Sequence, residues 1–539
     1  MDRAEKVRIW RQNNLLTSEK LTLARELIND IRAGQPVYNA LKQRPMPDGS
    51  MISKAVLVAA YQEMVAEGSI IEDRDLLARI RMKPVRTLSG VTTVTVLTKP
   101  YPCPGKCIFC PDDVRMPKSY LPDEPGAMRA LDHHFDPYTQ VRSRINALHA
   151  LGHPTDKIEL LILGGTWSAY KKDYQEWFIK RCFDGMNHNI DDEDDGAPDL
   201  VTAQTINENA KHRNVGLVIE TRPDEIDPKE LKRLRMLGVT KVQVGVQSLD
   251  DRILDLNKRG HDVQTTRRAV AYLRAAGFKV VAHWMPNLLG ATPDSDRKDF
   301  SRLWKWICPD ELKIYPNQLL AGTELFSIWE NGGFTPYTTE ELVHLIADIK
   351  LTVPRYCRIN RVIRDIPSTN VVEGNKRTSL RQDAQLELAK RGKACQCIRC
   401  REVRSSSVEP DKLALSILDY QIEGTQEKFI SFVTQDDKVA GFLRLSLPGE
   451  NSAQSGMDEL NGCALIREIH VYGQSLQVGA EKSGLAQHIG LGTQLLSHCE
   501  KIAAENGFGK VAVISAIGTR QYYLDRGFER GEFYLIKNI

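Results

Sequence analysis

The sequence predicts an α/β protein built on a full or partial parallel β/α barrel, with a helical region before it and a smaller α+β domain after it. Three observations predict this. From residue 91 to residue 316, short β-branched runs alternate with longer stretches of helical periodicity. Before residue 85 the apolar positions fall at helical spacing, and beyond about residue 410 the pattern changes to closely spaced strands of antiparallel character.

Taken in order, LTLARELINDI (21–31) and ISKAVLVAAYQEMV (52–65) read as amphipathic helices of an N-terminal region spanning 1–85. VTTVTVLTKP (91–100), IELLILGG (158–165), NVGLVIETRP (214–223), KVQVGVQS (241–248), FKVVAHWMP (278–286) and ELKIYP (311–316) each suit a strand buried on both faces. The segments between them are long enough for crossover helices, which makes 86–345 the barrel. Ligands of such sheets sit at the carboxyl ends of the strands, where GG, ETRPD, GVQS, MPN and YP fall. Residues 346–405 read as a Pro- and Arg-rich connector. In 406–539, FISFVTQDDKVAGFLRLSL and ALIREIHVYG read as strands, followed by a Gly-containing loop, a helix and the strand KVAVIS.

The 539 residues are 42% hydrophobic and 27% charged, enough for several cored domains and unlike a disordered chain. Apolar runs stop well short of the ~20 residues of a membrane span, and MDRAEKVRIW has no apolar signal core. The expected location is the cytoplasm, with no membrane association. Eleven cysteines in such a chain point to metal or redox chemistry over disulfides. The net charge of +3 conceals an asymmetry: residues 350–404 hold 14 Lys and Arg against 5 Asp and Glu, and the first hundred hold 16 against 11. A polyanion partner and a solvated basic face both fit.

CPGKCIFC places Cys103, Cys107 and Cys110 in a C-x3-C-x2-C triplet on a Pro/Gly loop after the first barrel strand. Zinc would want a fourth ligand nearby. A four-iron cluster held by three thiolates leaves one iron open to a chelating small molecule. This triplet resembles that of the radical S-adenosylmethionine (SAM) superfamily. The resemblance implies a [4Fe-4S] cluster and SAM, with Gly164 and Gly165 of ILGGT, Glu220 and Gln247 near SAM. Thr166 stands where that superfamily has an acid.

QHIGLGTQLL (487–496) has the pattern Q-x-x-G-x-G at the entry to an amphipathic helix, where backbone N–H groups and the helix dipole suit a phosphate. With its flanking strands and GTRQYYLDRGF it resembles the GNAT acetyltransferase fold. The resemblance implies acetyl-CoA held by Gln487, Gly490, Gly492, Tyr522 and Tyr523, though one of the tyrosines could instead be a core aromatic. CQCIRC supplies Cys395, Cys397 and Cys400, a spacing that suits structural zinc but is one ligand short. Cys308 is the expected fourth, with Cys357, His283 or a remote histidine as alternatives. Cys182, Cys463 and Cys499 read as small core residues.

A radical SAM barrel joined to a GNAT domain, with RDIP, REIHVYG, AVIS, GTRQYY, HWMPNL and GVQS, resembles the Elongator catalytic-subunit (Elp3) family from about Arg86 to the C-terminus, in its bacterial or archaeal form. The resemblance implies carboxymethylation of the wobble uridine (U34) of tRNA at C5, by radical chemistry on acetyl-CoA. It implies Lys279 and Tyr315 near the acetyl group as catalytic residues. The tRNA anticodon loop is the expected partner, contacted by Arg364, Lys376, Arg377, Arg399 and Arg401, and a homodimer is left open. The alternative is a protein lysine acetyltransferase whose radical SAM domain is structural.

Overall fold

The computed structural model describes residues 3–83, 87, 90–188, 196–404, 408–472 and 490–539. The N-terminal helices form a small core of their own. Ala24, Leu27, Ile28 and Ile31 of the helix Ser18–Arg32 pack on Val56, Ala60 and Met64 of the helix Lys54–Ala66. Thr17 and Ser53 cap these two helices, each side chain accepting a backbone N–H of the first turn.

Seven parallel strands follow in sequential order: β1 (Thr92–Leu97), β2 (Lys157–Leu163), β3 (Arg213–Thr221), β4 (Lys241–Gln247), β5 (Lys279–Trp284), β6 (Glu311–Ile314) and β7 (Arg358–Arg361). Among the described residues β1 and β7 do not pair, so the barrel is partial. Crossover helices cover its outer face, and Asp136, Asp227, Asp262, Thr292 and Thr338 cap five of them through side-chain oxygens. The six strands expected from sequence are all present. The seventh lies inside the segment expected to be a connector. RINR lacks a β-branched run, and its strand state comes from tertiary pairing, Glu311 opposite Arg358 and Leu312 opposite Ile359. The helix Leu380–Lys390, in the same segment, packs on the helix Thr339–Leu351. The barrel unit therefore runs well past residue 345.

The C-terminal domain is a mixed sheet of β8 (Ala414–Ile422), β9 (Thr425–Val433), β10 (Val439–Pro448), β11 (Cys463–Val471), β12 (Lys510–Val513), β13 (Glu529–Arg530) and β14 (Leu535–Asn538). Their spatial order is β13-β14-β12-β11-β10-β9-β8, antiparallel except for the parallel pair β11 and β12. That pair is in register only from Cys463 to Ile466, after which β11 continues to Val471 paired with β10 alone. The two strands splay apart there.

The domain docks on the amino ends of the barrel strands. Arg467 donates to both oxygens of Asp310 at 2.7 Å and to Glu427 at 2.8 Å, with its side chain fully buried. Tyr534 donates to the Ala276 carbonyl at 2.6 Å, and Gly518 lies so close to Arg213 and Asn214 that a Cβ there would clash. No described helix is long and apolar enough to cross a membrane.

Candidate active site

A single cavity of about 1380 Å³ runs from the cysteine loop beyond the carboxyl ends of the strands, through the barrel interior, to the C-terminal domain. Its upper wall includes Cys103, Cys107, Cys110, Gly165, Glu220, Gln247 and Tyr315. Its lower wall includes Lys279, Glu468, His470, Gly490, Gly492 and Tyr522. The interior between them is polar, with Lys241, Gln243, His283, Glu311 and Lys313 pointing inward.

The three cysteines are half-buried, and cations the sequence did not single out surround them. Arg259, 5% exposed, donates to the Cys107 sulfur at 3.0 Å and to the Gly245 carbonyl at 2.7 Å. Arg222 donates to the Arg259 carbonyl at 2.7 Å, and one of its buried nitrogens, Nη1, has no partner. Burial pushes the Cys110 thiol up to about 12, with Cys107 beside it adding to the effect. Three thiols that must ionise together to hold iron need such positive surroundings. The residues present therefore fit an anionic iron–thiolate group.

The Gly-Gly turn after β2 is built from two directions. Gly164 has φ +146° and Gly165 φ +87°, and a Cβ on Gly164 would overlap the Thr98 hydroxyl. Both backbone N–H groups donate to Oε1 of Glu220, at 3.0 and 2.9 Å, and Tyr120 donates to the same oxygen at 2.7 Å. Glu220 thus anchors the turn with a carboxylate from β3, while Thr166 sits 3.4 Å from the Cys103 sulfur. Gln247 ends β4 at φ +65°, and its buried Oε1 has no partner.

At the lower end, Lys279 bridges Glu311 at 2.7 Å and Glu468 of the C-terminal domain. Burial disfavours its charge, but Glu311 and Glu468 more than reverse that and raise its pKa. Lys279 opens β5, whereas Tyr315 follows the end of β6 and sits beside His283. At ~3.3 Å per residue their backbones are roughly 20 Å apart along the strands, and both residues line the same cavity. Strand direction, which periodicity leaves open, separates them.

Gly490 takes φ +67° ahead of the helix Leu491–Glu505, and a Cβ on Gly492 would come within 2.5 Å of the Tyr522 hydroxyl. Tyr522 is half-buried in the cavity wall under Arg526, while Tyr523 is 5% exposed and packs on Phe528. Gln487 lies outside the described residues. Glu468 and His470, within REIHVYG but given no role from sequence, share one face of β11, and the ring of Tyr472, just past its end, packs on His470. Burial moves His470 down to about 4, leaving it neutral.

The sulfurs of Cys395, Cys397 and Cys400 lie within 4.8 Å of one another. Cys308 does not join them, correcting the expected ligand set: its thiol turns to the Trp304 carbonyl at 3.1 Å, inside its own helix end. Cys357 and His283 are not part of the group either. Cys182, Cys463 and Cys499 are buried core residues. Two of the expected tRNA contacts are internal. Arg364 donates to the Ser119 carbonyl at 2.6 Å and pairs with Glu124 at 3.2 Å under the cysteine loop, and Arg401, 6% exposed, binds Asp437 at 2.7 Å. Arg399 lines the cavity, and Lys376 and Arg377 are exposed.

A parallel half-barrel with a three-cysteine loop beyond its first strand, joined to a mixed-sheet domain, defines a two-domain protein of radical SAM class. A family model for the Radical SAM superfamily matches residues 101–303, and one for the Radical_SAM C-terminal domain matches 309–390. The chain is 42% identical to the tRNA uridine(34) acetyltransferase of Dehalococcoides mccartyi (strain CBDB1), over 84% of this chain and 99% of that protein. It is 35% identical to Elongator complex protein 3 of Danio rerio, over 86% of this chain and 87% of that protein. The structure of the archaeal Methanocaldococcus infernus Elp3 lacking residues 1–46 superposes with a TM-score of 0.72 at 37% identity, over 84% of this chain and all of that one. The protein belongs to the Elp3 family.

Proposed function

We propose that this protein is a tRNA uridine(34) acetyltransferase, installing a carboxymethyl group at C5 of the wobble uridine from acetyl-CoA. The observation that carries this is the single cavity joining the cysteine loop to the splayed strands of the C-terminal domain. The relatives named for this activity are similar over most of their length. Acetyl transfer to a protein lysine is not favoured, because the splay opens into the barrel beside Lys279 and Glu468.

Membership of the radical SAM superfamily implies a [4Fe-4S] cluster, held here by Cys103, Cys107 and Cys110, and SAM. When bound, the pair supplies a carbon-centred radical able to take hydrogen from an unactivated C–H bond. The protein's own residues do the rest. Arg259 and Arg222 balance the charge of the thiolates. Glu220 fixes the Gly-Gly turn, which would hold the amino and carboxylate end of SAM. The β11 edge beyond Ile466, where its described register with β12 ends, would receive the amides of the pantetheine arm. The amino end of the helix after Gly490 receives the pyrophosphate, with Tyr522 beside it. Lys279 stands where its ammonium polarises a thioester carbonyl entering the barrel from below, and Tyr315 acts at the upper end. Lys376, Arg377 and Arg399 contact tRNA phosphates. Cys395, Cys397 and Cys400 hold structural zinc.

The test is anaerobic incubation of the reconstituted protein with SAM, reductant, acetyl-CoA and tRNA, followed by nucleoside mass spectrometry. Carboxymethyluridine is the expected product. Its absence from protein with a verified cluster refutes the proposal.

A further inference from the structure

Among the described residues β1 and β7 do not pair, yet beyond their carboxyl ends the segment after β7 meets the segment after the cysteine loop at three points. Arg364 donates to the Ser119 hydroxyl at 2.9 Å and to its carbonyl at 2.6 Å, and pairs with Glu124 at 3.2 Å. Ile366 and Val371 form a small apolar cluster with Leu320 and Leu121. Asn370 donates to both carboxylate oxygens of Asp123, at 2.9 and 2.8 Å. The open side of the half-barrel is therefore bridged at its upper rim.

The Arg364 guanidinium also lies over the Tyr120 ring, 5.5 Å from its centroid, within cation–π range. The Tyr120 hydroxyl in turn donates at 2.7 Å to Oε1 of Glu220, the oxygen that also accepts the N–H groups of Gly164 and Gly165. One carboxylate oxygen thus takes three hydrogen bonds, and the residue giving the third is itself held by Arg364. An unbroken series of contacts runs from the segment after β7, across the open rim, to the turn after β2. A planar fork can serve Ser119, Glu124 and an aromatic face together, which a single ammonium cannot.

We infer that Arg364 is a positioning residue for SAM: by holding Tyr120 it sets the orientation of Glu220 and, through Glu220, that of the Gly-Gly turn. The inference rests on the SAM reading above. Arg364 acts here through Tyr120 and Glu220, and not as a contact for a tRNA phosphate.

The experiment uses the full chain with its iron cluster reconstituted, as unaltered protein, Arg364→Lys, Tyr120→Phe and the double variant. It measures SAM affinity and the change that SAM produces in the electron paramagnetic resonance spectrum of the reduced cluster. Each single variant is expected to bind SAM at least fourfold more weakly and to show a smaller spectral change at fixed SAM, with iron content and acetyl-CoA affinity within twofold of the unaltered values. Because both residues act through one series of contacts, the double variant is expected to bind SAM no more than twofold more weakly than the weaker single variant. A smaller loss in either single variant overturns the inference, and so does a greater further loss in the double variant. Iron content or acetyl-CoA affinity falling along with SAM affinity overturns it in favour of a general structural role, and loss of tRNA affinity alone in favour of a phosphate contact. An unaltered protein with a verified cluster that binds no SAM overturns the SAM reading as well, whereas normal SAM binding insensitive to Arg364→Lys overturns only this inference.

Discussion

Replacing Asp310 by asparagine removes one negative charge from the joint between the two domains. Asp310 is 0% exposed and receives both guanidinium nitrogens of Arg467 at 2.7 Å, together with the Val280 N–H at 2.9 Å. Arg444 and Arg274 approach it at 3.5 and 4.0 Å. The three arginines are balanced by Asp310, Glu427 and Glu468, so the cluster is neutral as built. The asparagine keeps a carbonyl for Val280 but leaves one buried positive charge unpaired. Breaking a buried pair from one side costs about 3–5 kcal/mol. At ~2–4 °C per kcal/mol for a domain of this size, Asp310→Asn should lower the melting temperature by ~6–20 °C, read by scanning fluorimetry. Burial by itself would raise the Asp310 pKa, but Arg467 and Arg444 hold it well below the usual carboxylate range. The stabilisation is therefore complete above the unfolded value of ~3.9 and fades only as pH falls below it. The difference between unaltered protein and variant should accordingly stay constant from pH 5 to pH 8. A fall smaller than ~3 °C, or a difference that changes across that window, refutes the reasoning.

Three further outcomes are expected. Gly164→Ala places a methyl group on the Thr98 hydroxyl at a φ that side chains avoid, and should abolish SAM-dependent 5′-deoxyadenosine formation while leaving acetyl-CoA binding by calorimetry within twofold. Cys107→Ser should lose most bound iron and all carboxymethyluridine formation with an unchanged far-ultraviolet circular dichroism spectrum; iron content and activity equal to the unaltered protein would contradict the cluster assignment. Burial raises Asp296 to about 7 despite hydrogen bonds from the Asn287 N–H and the Tyr337 hydroxyl. A carboxyl with a raised folded pKa holds its proton in the native state, so its contribution is present below the unfolded value and is lost as pH rises towards 7. Asp296→Asn should remove up to ~1.4 kcal/mol per pH unit of slope between about pH 4 and 7 in denaturant titrations, and an unchanged slope would exclude Asp296 as its source.

Local patterns carried much of this molecule. The six β-branched runs became barrel strands because a strand buried on both faces must be apolar throughout, which is visible in one dimension. The cysteine triplets and the glycines at 164, 165 and 490 were legible because ligand spacing and positive φ are properties of neighbouring residues, whereas Gly492 is required by the approach of the distant Tyr522. β7 was not legible, since RINR is polar and short and becomes a strand only against β6. Arg259 left no signal either, and Arg222, Glu468 and His470 stood inside ETRPD and REIHVYG without a role being legible. Each acts on a group distant in sequence, and an arginine at a thiolate reads in the sequence like an arginine in solvent.

By itself the sequence determined the two domain classes, the three-thiolate loop and the glycine loop, because each depends on periodicity or on spacing within a few residues. The tertiary structure decided which arginines are internal, where Cys308 goes, and that Lys279 and Tyr315 stand at opposite ends of the barrel. It also decided that the cysteine loop and the glycines at 490 and 492 line one cavity. Those facts depend on strand direction and on the docking of one domain against the amino ends of the other's strands, through charges such as Arg467 and Asp310 that pair across 157 positions of chain.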